Sequence, residues 1–331
     1  MVAVSSCTAA LHLSLLAAGI GSGDEVITTP LTFCATINAI IHSGAKPVLV
    51  DIDPVTMNID PQQIHAAINN KTKAILPVHF AGRSCDMDQI LNIARSKDLI
   101  IIEDCAHAIE AEYNGRKAGT FGDFGCFSFY VTKNVITGEG GMVICREEKL
   151  ASRIKQLALH GMSYDAWKRF SDSGYKHYYV VEPGFKYNMM DIQAAIGIHQ
   201  LDRVEICHDR REEIWRHYNE SFAELPVVLP APDKLNTRHA RHLYTLLLEA
   251  DAPVSREMFL ERMTKRNIGV GVHYMSIPEH PFYQSAYRWK PQNWPKAMDI
   301  GRRTVSLPLS ANLTDLDVED VIAAVRDVLK G

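Results

Sequence analysis

Lys133 is the residue in this sequence with the clearest potential for covalent chemistry. It lies in the segment FSFYVTKNVITGEGGMV (residues 127–143), where most of its neighbours are aromatic or β-branched. Burial among such neighbours disfavours the ammonium form and leaves a nucleophilic amine. Taken alone, Lys133 would be interpreted as a solvated surface lysine, because most lysines are exposed. The glycine cluster of Gly138, Gly140 and Gly141 would let the backbone approach a ligand or form a tight turn.

Asp104 and His107 form a second candidate pair, in the segment LIIIEDCAHA (residues 99–108). Asp104 follows a hydrophobic strand, at the carboxyl end where open α/β sheets bind ligands. In isolation a helix cap explains Asp104 equally well, and His107 could be a satisfied core histidine. Pyridoxal phosphate chemistry requires a lysine that can form a Schiff base and a carboxylate that can pair with a pyridinium nitrogen. Lys133 and Asp104 together therefore predict this cofactor.

A phosphate group should then bind where SSCTAA (residues 5–10) turns from a strand into a helix. Free backbone N–H groups and hydroxyls at a helix N-terminus suit a phosphate dianion. Capping of the helix by Ser6 or Thr8 is the competing interpretation, and for this segment alone it is the simpler one. The rival nucleotide motifs fail, because GIGSGD (residues 19–24) does not follow a strand and TGEGGM lacks the lysine of a P-loop.

The elements that would position these residues alternate between strands and helices. Strands are predicted at residues 2–4, 25–28, 47–51, 74–78, 99–103, 126–129 and 141–145, and helices at 8–18, 35–43, 61–68 and 86–96. Such alternation implies crossover connections and a mostly parallel sheet with helices on both faces. We therefore expect an α/β fold.

The second half of the chain is predicted to lead into a smaller domain. The pattern indicates an amphipathic helix at 149–160, a polar, aromatic-rich loop at 161–183 and a long helical region at 191–225. A Pro-rich segment then ends the helix, so we expect a large cofactor-binding domain at 1–225 and a small α+β domain at 226–331. The small domain should contain strands at 244–248 and 269–274 and helices at 255–266 and 314–329.

Composition and charge exclude several classes of protein. The chain has 331 residues, 47% hydrophobic and 22% charged, as in an ordinary globular protein. A net charge of -4 argues against a nucleic-acid partner, because phosphate backbones are bound by clustered Lys and Arg. No apolar run approaches the roughly 20 residues that cross a bilayer, so we expect no membrane span. Seven singly scattered cysteines without a C-x-x-C pair favour a reduced, cytoplasmic location.

Eight motifs in a fixed order carry a resemblance to a known family. They are SSCTAALHL, GDEVITTPLTFCAT, PVLVDID, KAILPVHFAG, IIIEDCAHA, FSFYVTKNVITGEGG, PGFKYNMMDIQAAIG and VGVHY. With this series the sequence closely resembles the DegT/StrS-type nucleotide-sugar aminotransferases. These are pyridoxal phosphate enzymes of fold type I, in the aspartate aminotransferase superfamily. The resemblance spans nearly the whole chain.

The resemblance implies a role for each residue around the cofactor ring. Lys133 would bind the cofactor aldehyde and serve as the catalytic base and acid, and Asp104 would pair with the pyridine nitrogen. His107 falls where family members have His or Gln beside the phenolic oxygen of the cofactor. Phe33, in LTFCAT, falls where an aromatic residue stacks on the ring.

The same resemblance implies contacts to the phosphate and to the substrate. Thr8, Ala9 and Ser128 would hold the phosphate. Asn188 matches an asparagine that reaches the same phosphate from the other subunit, which implies a homodimer with shared active sites. His273, in VGVHY, lies in a segment that lines the substrate side in the family.

The implied reaction moves an amino group from glutamate to the keto-sugar of a nucleotide-sugar, for the synthesis of polysaccharide, lipopolysaccharide or secondary-metabolite amino-sugars. Two alternatives stay open. One is a related sugar dehydratase, although those relatives carry a histidine where this chain has Lys133. The other is a non-catalytic, cofactor-binding or sensory relative. Family members carry additional residues before SSCTAALHL, so part of the substrate wall is expected to be missing. Residues 164–179 are expected to influence the choice of sugar.

Overall fold

The computed structural model describes residues 1–163 and 177–330. Its strands are β1 (Val2–Val4), β2 (Glu25–Thr28), β3 (Lys46–Leu49), β4 (Thr72–Ile75), β5 (Ile100–Asp104), β6 (Glu112–Tyr113), β7 (Arg116–Lys117), β8 (Phe124–Ser128), β9 (Gly141–Cys145), β10 (Val227–Val228), β11 (Thr237–Arg238), β12 (Tyr244–Leu248) and β13 (Thr304–Leu307). Its α-helices are α1 (Cys7–Ala17), α2 (Cys34–His42), α3 (Pro61–Ala67), α4 (Met87–Lys97), α5 (Glu148–Ala158), α6 (Asp191–Leu201), α7 (Val204–Phe222), α8 (Arg256–Lys265), α9 (Pro281–Tyr287), α10 (Pro295–Arg303) and α11 (Asp315–Lys330).

A seven-stranded sheet organises the first half of the chain. Its strand order is β1-β9-β8-β5-β4-β2-β3, and the strands from β8 to β3 are all parallel to their neighbours. Only β9 runs in the opposite direction, between β1 and β8. The strands are apolar on both faces, because one face packs against α1 and α5 and the other against α4. The predicted α/β fold with a mostly parallel sheet is confirmed.

The sheet brings several chain segments to one edge. Because β1, β2, β5 and β8 run in the same direction, their carboxyl ends lie at the same edge of the sheet. Asp104 is the last residue of β5 and Ser128 the last residue of β8. Helix α1 begins just after β1, and α2 begins after a short connection from β2. Residues that follow four different strands can therefore meet there.

The predicted helical region at 191–225 is two helices. Helix α6 ends at Leu201, where the Arg203 N–H donates to the Gln200 carbonyl oxygen, and α7 begins at Val204. The break separates helices with different surroundings. Helix α6 buries no residue within the chain, whereas α7 buries aromatic side chains in the core of the C-terminal part. The division of the chain at residue 226 stays a prediction, and α7 packs with residues on the far side of it.

The predicted strand at 269–274 is wrong. Only Gly271 pairs in a strand-like manner, through two backbone hydrogen bonds with Ser306 of β13. Glycines at 269 and 271 weaken strand pairing because they lack a side chain to pack on the sheet. The segment then leaves β13 and enters the site with His273 and Tyr274.

The predicted loop at 161–183 lies in large part outside the described residues, because 164–176 are not described. The described residues at its two ends form isolated bridges, Leu159 with Lys186 and Met162 with Val180, and no helix or strand. Within residues 1–163 and 177–330, no helix combines the length and the apolar character needed to cross a membrane.

Candidate active site

A cavity of about 390 Å³ lies at the edge of the sheet where the parallel strands end. Most of the residues predicted from the sequence line it, from the first helix, the strand ends and the C-terminal part of the chain. These residues are Thr8, Phe33, Asp104, His107, Ser128, Lys133 and His273. The structure thus brings the amine of Lys133 and the carboxylate of Asp104 into one space.

Lys133 follows β8 on a turn, in which its N–H donates to the carbonyl oxygen of Tyr130 (2.9 Å). Its side chain reaches into the cavity and is partly buried. Burial lowers the pKa of the Lys133 amine, and the neighbouring Cys7 and Asp104 oppose that shift in part. An amine in these surroundings loses its proton more readily than an exposed lysine does.

The turn that follows β8 is anchored to the second half of the chain by Asn134. Its Nδ2 donates to Glu110 Oε2 (2.8 Å) and to the carbonyl oxygen of Ala240 (2.9 Å). Since both amide hydrogens are used, Oδ1 accepts from Nδ1 of His242 (2.9 Å). Glu110 also pairs with Arg211 of α7 at 2.6 Å, and both side chains are buried. This network holds the backbone beside the Lys133 amine in place.

The Asp104 carboxylate is buried, with 5% of the residue exposed. Its Oδ2 accepts from the Thr36 hydroxyl (2.9 Å) and its Oδ1 from the Ala106 N–H (3.1 Å). Burial raises the pKa of Asp104, whereas these two hydrogen bonds and the charge of Lys133 lower it in part. A carboxylate can accept about four hydrogen bonds, so Asp104 keeps capacity for a cationic donor in the cavity.

His107 has one satisfied and one unsatisfied ring nitrogen. Its Nε2 lies 3.1 Å from the hydroxyl of Tyr274. Its Nδ1 is buried and has no hydrogen-bond partner among the described residues. Burial lowers the pKa of His107 well below its usual value, and Lys133, His242 and His273 lower it further. The lowered pKa favours the neutral imidazole, in which Nδ1 has no protein partner within residues 1–163 and 177–330.

Helix α1 begins at the cavity and is capped by Ser6. The Ser6 Oγ accepts from the Ala9 N–H (3.1 Å), so that this N–H is directed to the cap and Ala9 is buried outside the cavity lining. Thr8 lines the cavity and is exposed. A Cβ on Gly141 would lie 2.5 Å from the carbonyl carbon of Ser6. The first residue of β9 must therefore be glycine to pack against this turn. The structure brings Thr8 to the cavity and does not bring Ala9 there.

His273 and Asn188 lie in different positions relative to the cavity. His273 lines it, with Nδ1 2.8 Å from the Ser306 hydroxyl, and burial lowers the pKa of His273 to about 4. Asn188 does not line the cavity of its own chain. Its Nδ2 donates to the Met189 carbonyl oxygen (3.2 Å), and its Oδ1 is buried without a partner in the described part of the chain.

Sequence reasoning missed several side chains that line the cavity, among them Cys7, Thr36 and Tyr274. Thr36 lies three residues after Phe33 near the start of α2, and residues at this spacing share a helix face. That spacing was a usable signal for Thr36. No such signal pointed to Tyr274. In the predicted strand at 269–274, neighbouring side chains would point to opposite faces, so Tyr274 would lie on the other face from His273.

Comparison with known proteins identifies the chain. The DegT/DnrJ/EryC1/StrS aminotransferase family matches it over residues 1–326. The chain belongs to this family. This DegT/DnrJ/EryC1/StrS protein is 50% identical to the spore coat polysaccharide biosynthesis protein SpsC of Bacillus subtilis over 332 residues, which cover 100% of the chain and 85% of SpsC. It is 51% identical to an uncharacterized protein of Methanocaldococcus jannaschii over 329 residues, 99% of the chain and 85% of that protein.

Solved structures agree with the family assignment. Spr1654 from Streptococcus pneumoniae, in its PMP form, matches this DegT/DnrJ/EryC1/StrS protein with a TM-score of 0.93 at 32% identity, over 99% of this chain and 87% of Spr1654. Spr1654 has also been solved in a PLP form. The predicted fold, the predicted aminotransferase activity on sugars and the predicted cofactor are confirmed at the level of the family.

Proposed function

We propose that this chain transfers the amino group of glutamate to a keto-sugar carried by a nucleotide, using pyridoxal phosphate bound in the cavity. One observation carries the proposal: Lys133 and Asp104 line the same cavity, with the amine partly buried and the carboxylate almost fully buried. The name of SpsC as a polysaccharide biosynthesis protein supports a sugar as the amino acceptor. The choice of glutamate and of a nucleotide-linked sugar rests on the family resemblance.

The cavity offers a suitable group for each part of the cofactor ring. Lys133 would attach to the aldehyde carbon, and the buried Asp104 carboxylate would bind the ring nitrogen. Phe33 is 57% exposed and free to stack on the ring. His107 Nδ1, buried without a protein partner in the described residues, would be satisfied if it contacted the phenolic oxygen of the cofactor. The donor set and this unpaired atom therefore fit pyridoxal phosphate.

The chemistry depends on where the chain holds protons. When bound, pyridoxal phosphate supplies a conjugated ring that accepts electrons from the reacting carbon. Asp104, as a carboxylate, would keep a proton on the ring nitrogen through a charge-assisted hydrogen bond. Lys133 would be released when the amino group of glutamate takes its place on the aldehyde carbon. Its amine, whose pKa is lowered by burial, would then take the proton from the α-carbon of glutamate and later return one as a general acid. When the keto-sugar is aminated, the same two residues would serve the same steps in the reverse direction.

The phosphate would lie at the N-terminus of α1. The hydroxyls of Thr8 and Ser128 line this part of the cavity, and a helix N-terminus favours an anion. Lys133 is the only Lys or Arg that lines the cavity in the described part of the chain. Because Lys133 is assigned to the aldehyde, the phosphate dianion is left to neutral donors. An additional donor from outside the chain would complete its coordination.

A second copy of the chain is the proposed source of that donor. Helix α6 exposes several apolar side chains, including Ile192 (74%), Ile198 (63%) and Leu201 (53%). An apolar helix face of this kind marks an interaction surface. Asn188 lies just before α6 and outside the cavity of its own chain. We therefore propose a homodimer that buries α6 and directs the Asn188 amide to the phosphate of the partner.

The cysteines support a further part of the proposal, a reduced cytoplasmic compartment. All seven are free, and three of them, Cys85, Cys105 and Cys126, are almost completely buried. Buried thiols that form no disulfide are typical of proteins that keep their cysteines reduced.

The proposed function is tested by borohydride reduction of the protein incubated with pyridoxal phosphate. Peptide mass mapping should find the reduced adduct on Lys133, and Lys133→Ala should lose it. Lys46→Arg serves as the matched control, because Lys46 is an exposed lysine paired with Glu25 at 2.9 Å. An adduct that persists in Lys133→Ala would refute the assignment.

The substrates need a separate measurement. The protein with bound cofactor should convert glutamate to 2-oxoglutarate in a single turnover, without any sugar. Nitrogen-15 from labelled glutamate should then appear in one member of a set of keto-nucleotide-sugars. A dehydrated sugar without the label would favour the dehydratase, and no single turnover would favour a non-catalytic relative.

The shared site is tested by mixing two inactive variants, Lys133→Ala and Asn188→Ala. If Asn188 acts across the interface, a hybrid dimer contains one site with both native residues, and activity returns after the subunits are exchanged. If each site uses residues of a single chain, the mixture stays inactive.

A further inference from the structure

The hydroxyl of Tyr274 and the imidazole of His107 form a contact to which the proposed reaction assigns no role. The hydroxyl oxygen lies 3.1 Å from His107 Nε2. The two rings are nearly parallel, with centroids 6.1 Å apart and planes inclined by 18°. Both side chains line the cavity, and His107 is 7% exposed. The contact therefore lies in the wall of the cavity.

Counting donors and acceptors decides the direction of this hydrogen bond. A neutral imidazole carries one N–H, and a phenol carries one O–H. If Nε2–H donated to Tyr274, both the phenol hydrogen and the Nδ1 lone pair of His107 would lack partners among the described residues. If the phenol donates to Nε2, only the Nδ1–H remains free. Unsatisfied buried polar groups are costly, so the second arrangement is favoured.

We propose that Tyr274 is a positioning residue that donates to His107 Nε2 and thereby fixes the single imidazole proton on Nδ1. His107 then offers only a donor, and no acceptor, to a group that reaches its Nδ1. This inference rests on the proposed function for the identity of the acceptor, which is the phenolic oxygen of the cofactor. With the proton on Nε2 instead, the Nδ1 lone pair would face that electron-rich oxygen and repel it.

Packing holds the Tyr274 ring in the orientation that the hydrogen bond needs. Its centroid lies 6.0 Å from that of Phe33 and 6.2 Å from that of Phe80. Tyr274→Phe keeps these ring contacts and removes only the hydroxyl. The substitution therefore separates the hydrogen bond from the packing of the ring.

The test is nitrogen-15 NMR of histidine-labelled protein, because the chemical shifts of the two ring nitrogens distinguish the tautomers. The His107 signals are assigned by their loss in His107→Gln. In the cofactor-free wild type we expect the proton on Nδ1, and in Tyr274→Phe a mixture of both tautomers. A proton on Nε2 in the wild type, or an unchanged tautomer in Tyr274→Phe, would overturn the inference.

Binding of pyridoxal phosphate gives a second readout. Tyr274→Phe should weaken binding by about three- to tenfold, the effect of one lost hydrogen bond. Tyr283→Phe is the matched control, because its hydroxyl donates to Asn38 Oδ1 (2.7 Å) in the same hydrophobic cluster but outside the cavity. Equal affinities of Tyr274→Phe and wild type would refute the role of the hydroxyl. If wild type binds no pyridoxal phosphate, the proposed function fails, while the tautomer measured without cofactor still tests Tyr274.

Discussion

Glu103 and Asp104 are adjacent carboxylates at the end of β5, and they differ in how completely the protein satisfies them. Glu103 has no exposed surface. It accepts four hydrogen bonds of 2.7 to 3.0 Å, from the backbone N–H groups of Gly119, Phe121 and Gly122 and from Nε2 of His79. Asp104 accepts two bonds shorter than 3.2 Å and lines the cavity.

The difference follows from the geometry of the strand. Successive side chains of a strand point to opposite faces, so Glu103 and Asp104 enter different surroundings. On one face the loop between β7 and β8 wraps around Glu103 and uses all its acceptor capacity. On the other face Asp104 meets the cavity and keeps capacity for a ligand. A buried carboxylate whose acceptor capacity is fully used by hydrogen bonds stabilises the fold. One that keeps free acceptor capacity is available to bind a ligand, and its burial lowers the stability of the free protein.

Removing the charge of Glu103 should have the largest effect on stability. In Glu103→Gln the amide NH₂ would face backbone N–H donors, and the charge-assisted bonds would be lost. We expect the free energy of unfolding to fall by about 3–5 kcal/mol, as when a buried ion pair is broken. Urea unfolding of the cofactor-free protein measures this.

The matched control for Glu103→Gln is Glu112→Gln, because Glu112 pairs with Lys117 at 2.7 Å on the surface. Its free energy of unfolding should change by no more than about 0.5 kcal/mol. If both variants lost similar amounts of unfolding free energy, the four hydrogen bonds to Glu103 would contribute no more to stability than a surface ion pair does.

Asp104→Asn should lower turnover and leave stability unchanged or higher. We expect turnover to fall by about 10²-fold or more, because the proposed function requires a preorganised charge beside the cofactor ring and this variant would lack it. The folded-state pKa of Asp104 is raised by burial, so ionised Asp104 reduces stability as pH rises above the unfolded-state pKa. At neutral pH the cofactor-free Asp104→Asn protein should therefore be as stable as wild type or more stable. Marked destabilisation by urea would mean that Asp104 is structural, like Glu103.

The sequence was sufficient where a motif coincided with the end of a strand. Asp104 and Lys133 follow hydrophobic runs, and parallel strands end at the same edge of a sheet, so their proximity could be predicted. The sheet itself could be predicted from the alternation of strands and helices. Resemblance to the family added residues such as Phe33, whose place in the cavity depends on the connection between β2 and α2.

Long-range pairing accounts for most of what the sequence did not reveal. The role of Glu103 depends on backbone N–H groups in a loop that follows it by 16 to 19 residues. No local sequence pattern predicts such a contact. Tyr274 was missed because its segment was predicted as a strand. Helices α6 and α7 have different surroundings, and helical periodicity alone does not distinguish a helix that faces the core from one whose apolar side chains are exposed.

Thr36→Val should have the smallest effect of the three substitutions. It removes one hydrogen bond to Asp104 and keeps the carboxylate. The Thr36 hydroxyl donates to Asp104 Oδ2 (2.9 Å), and valine keeps the branched shape. We expect pyridoxal phosphate to bind about three- to tenfold more weakly, because under the proposed function a less well oriented carboxylate would pair with the ring nitrogen. Equilibrium titration by absorbance measures the affinity.

Thr28→Val is the control, because the buried hydroxyl of Thr28 donates to the Leu76 carbonyl oxygen (2.7 Å) outside the cavity. Thr28→Val should lower stability and leave cofactor affinity unchanged, and equal affinities in the two variants would show that Asp104 is positioned without Thr36.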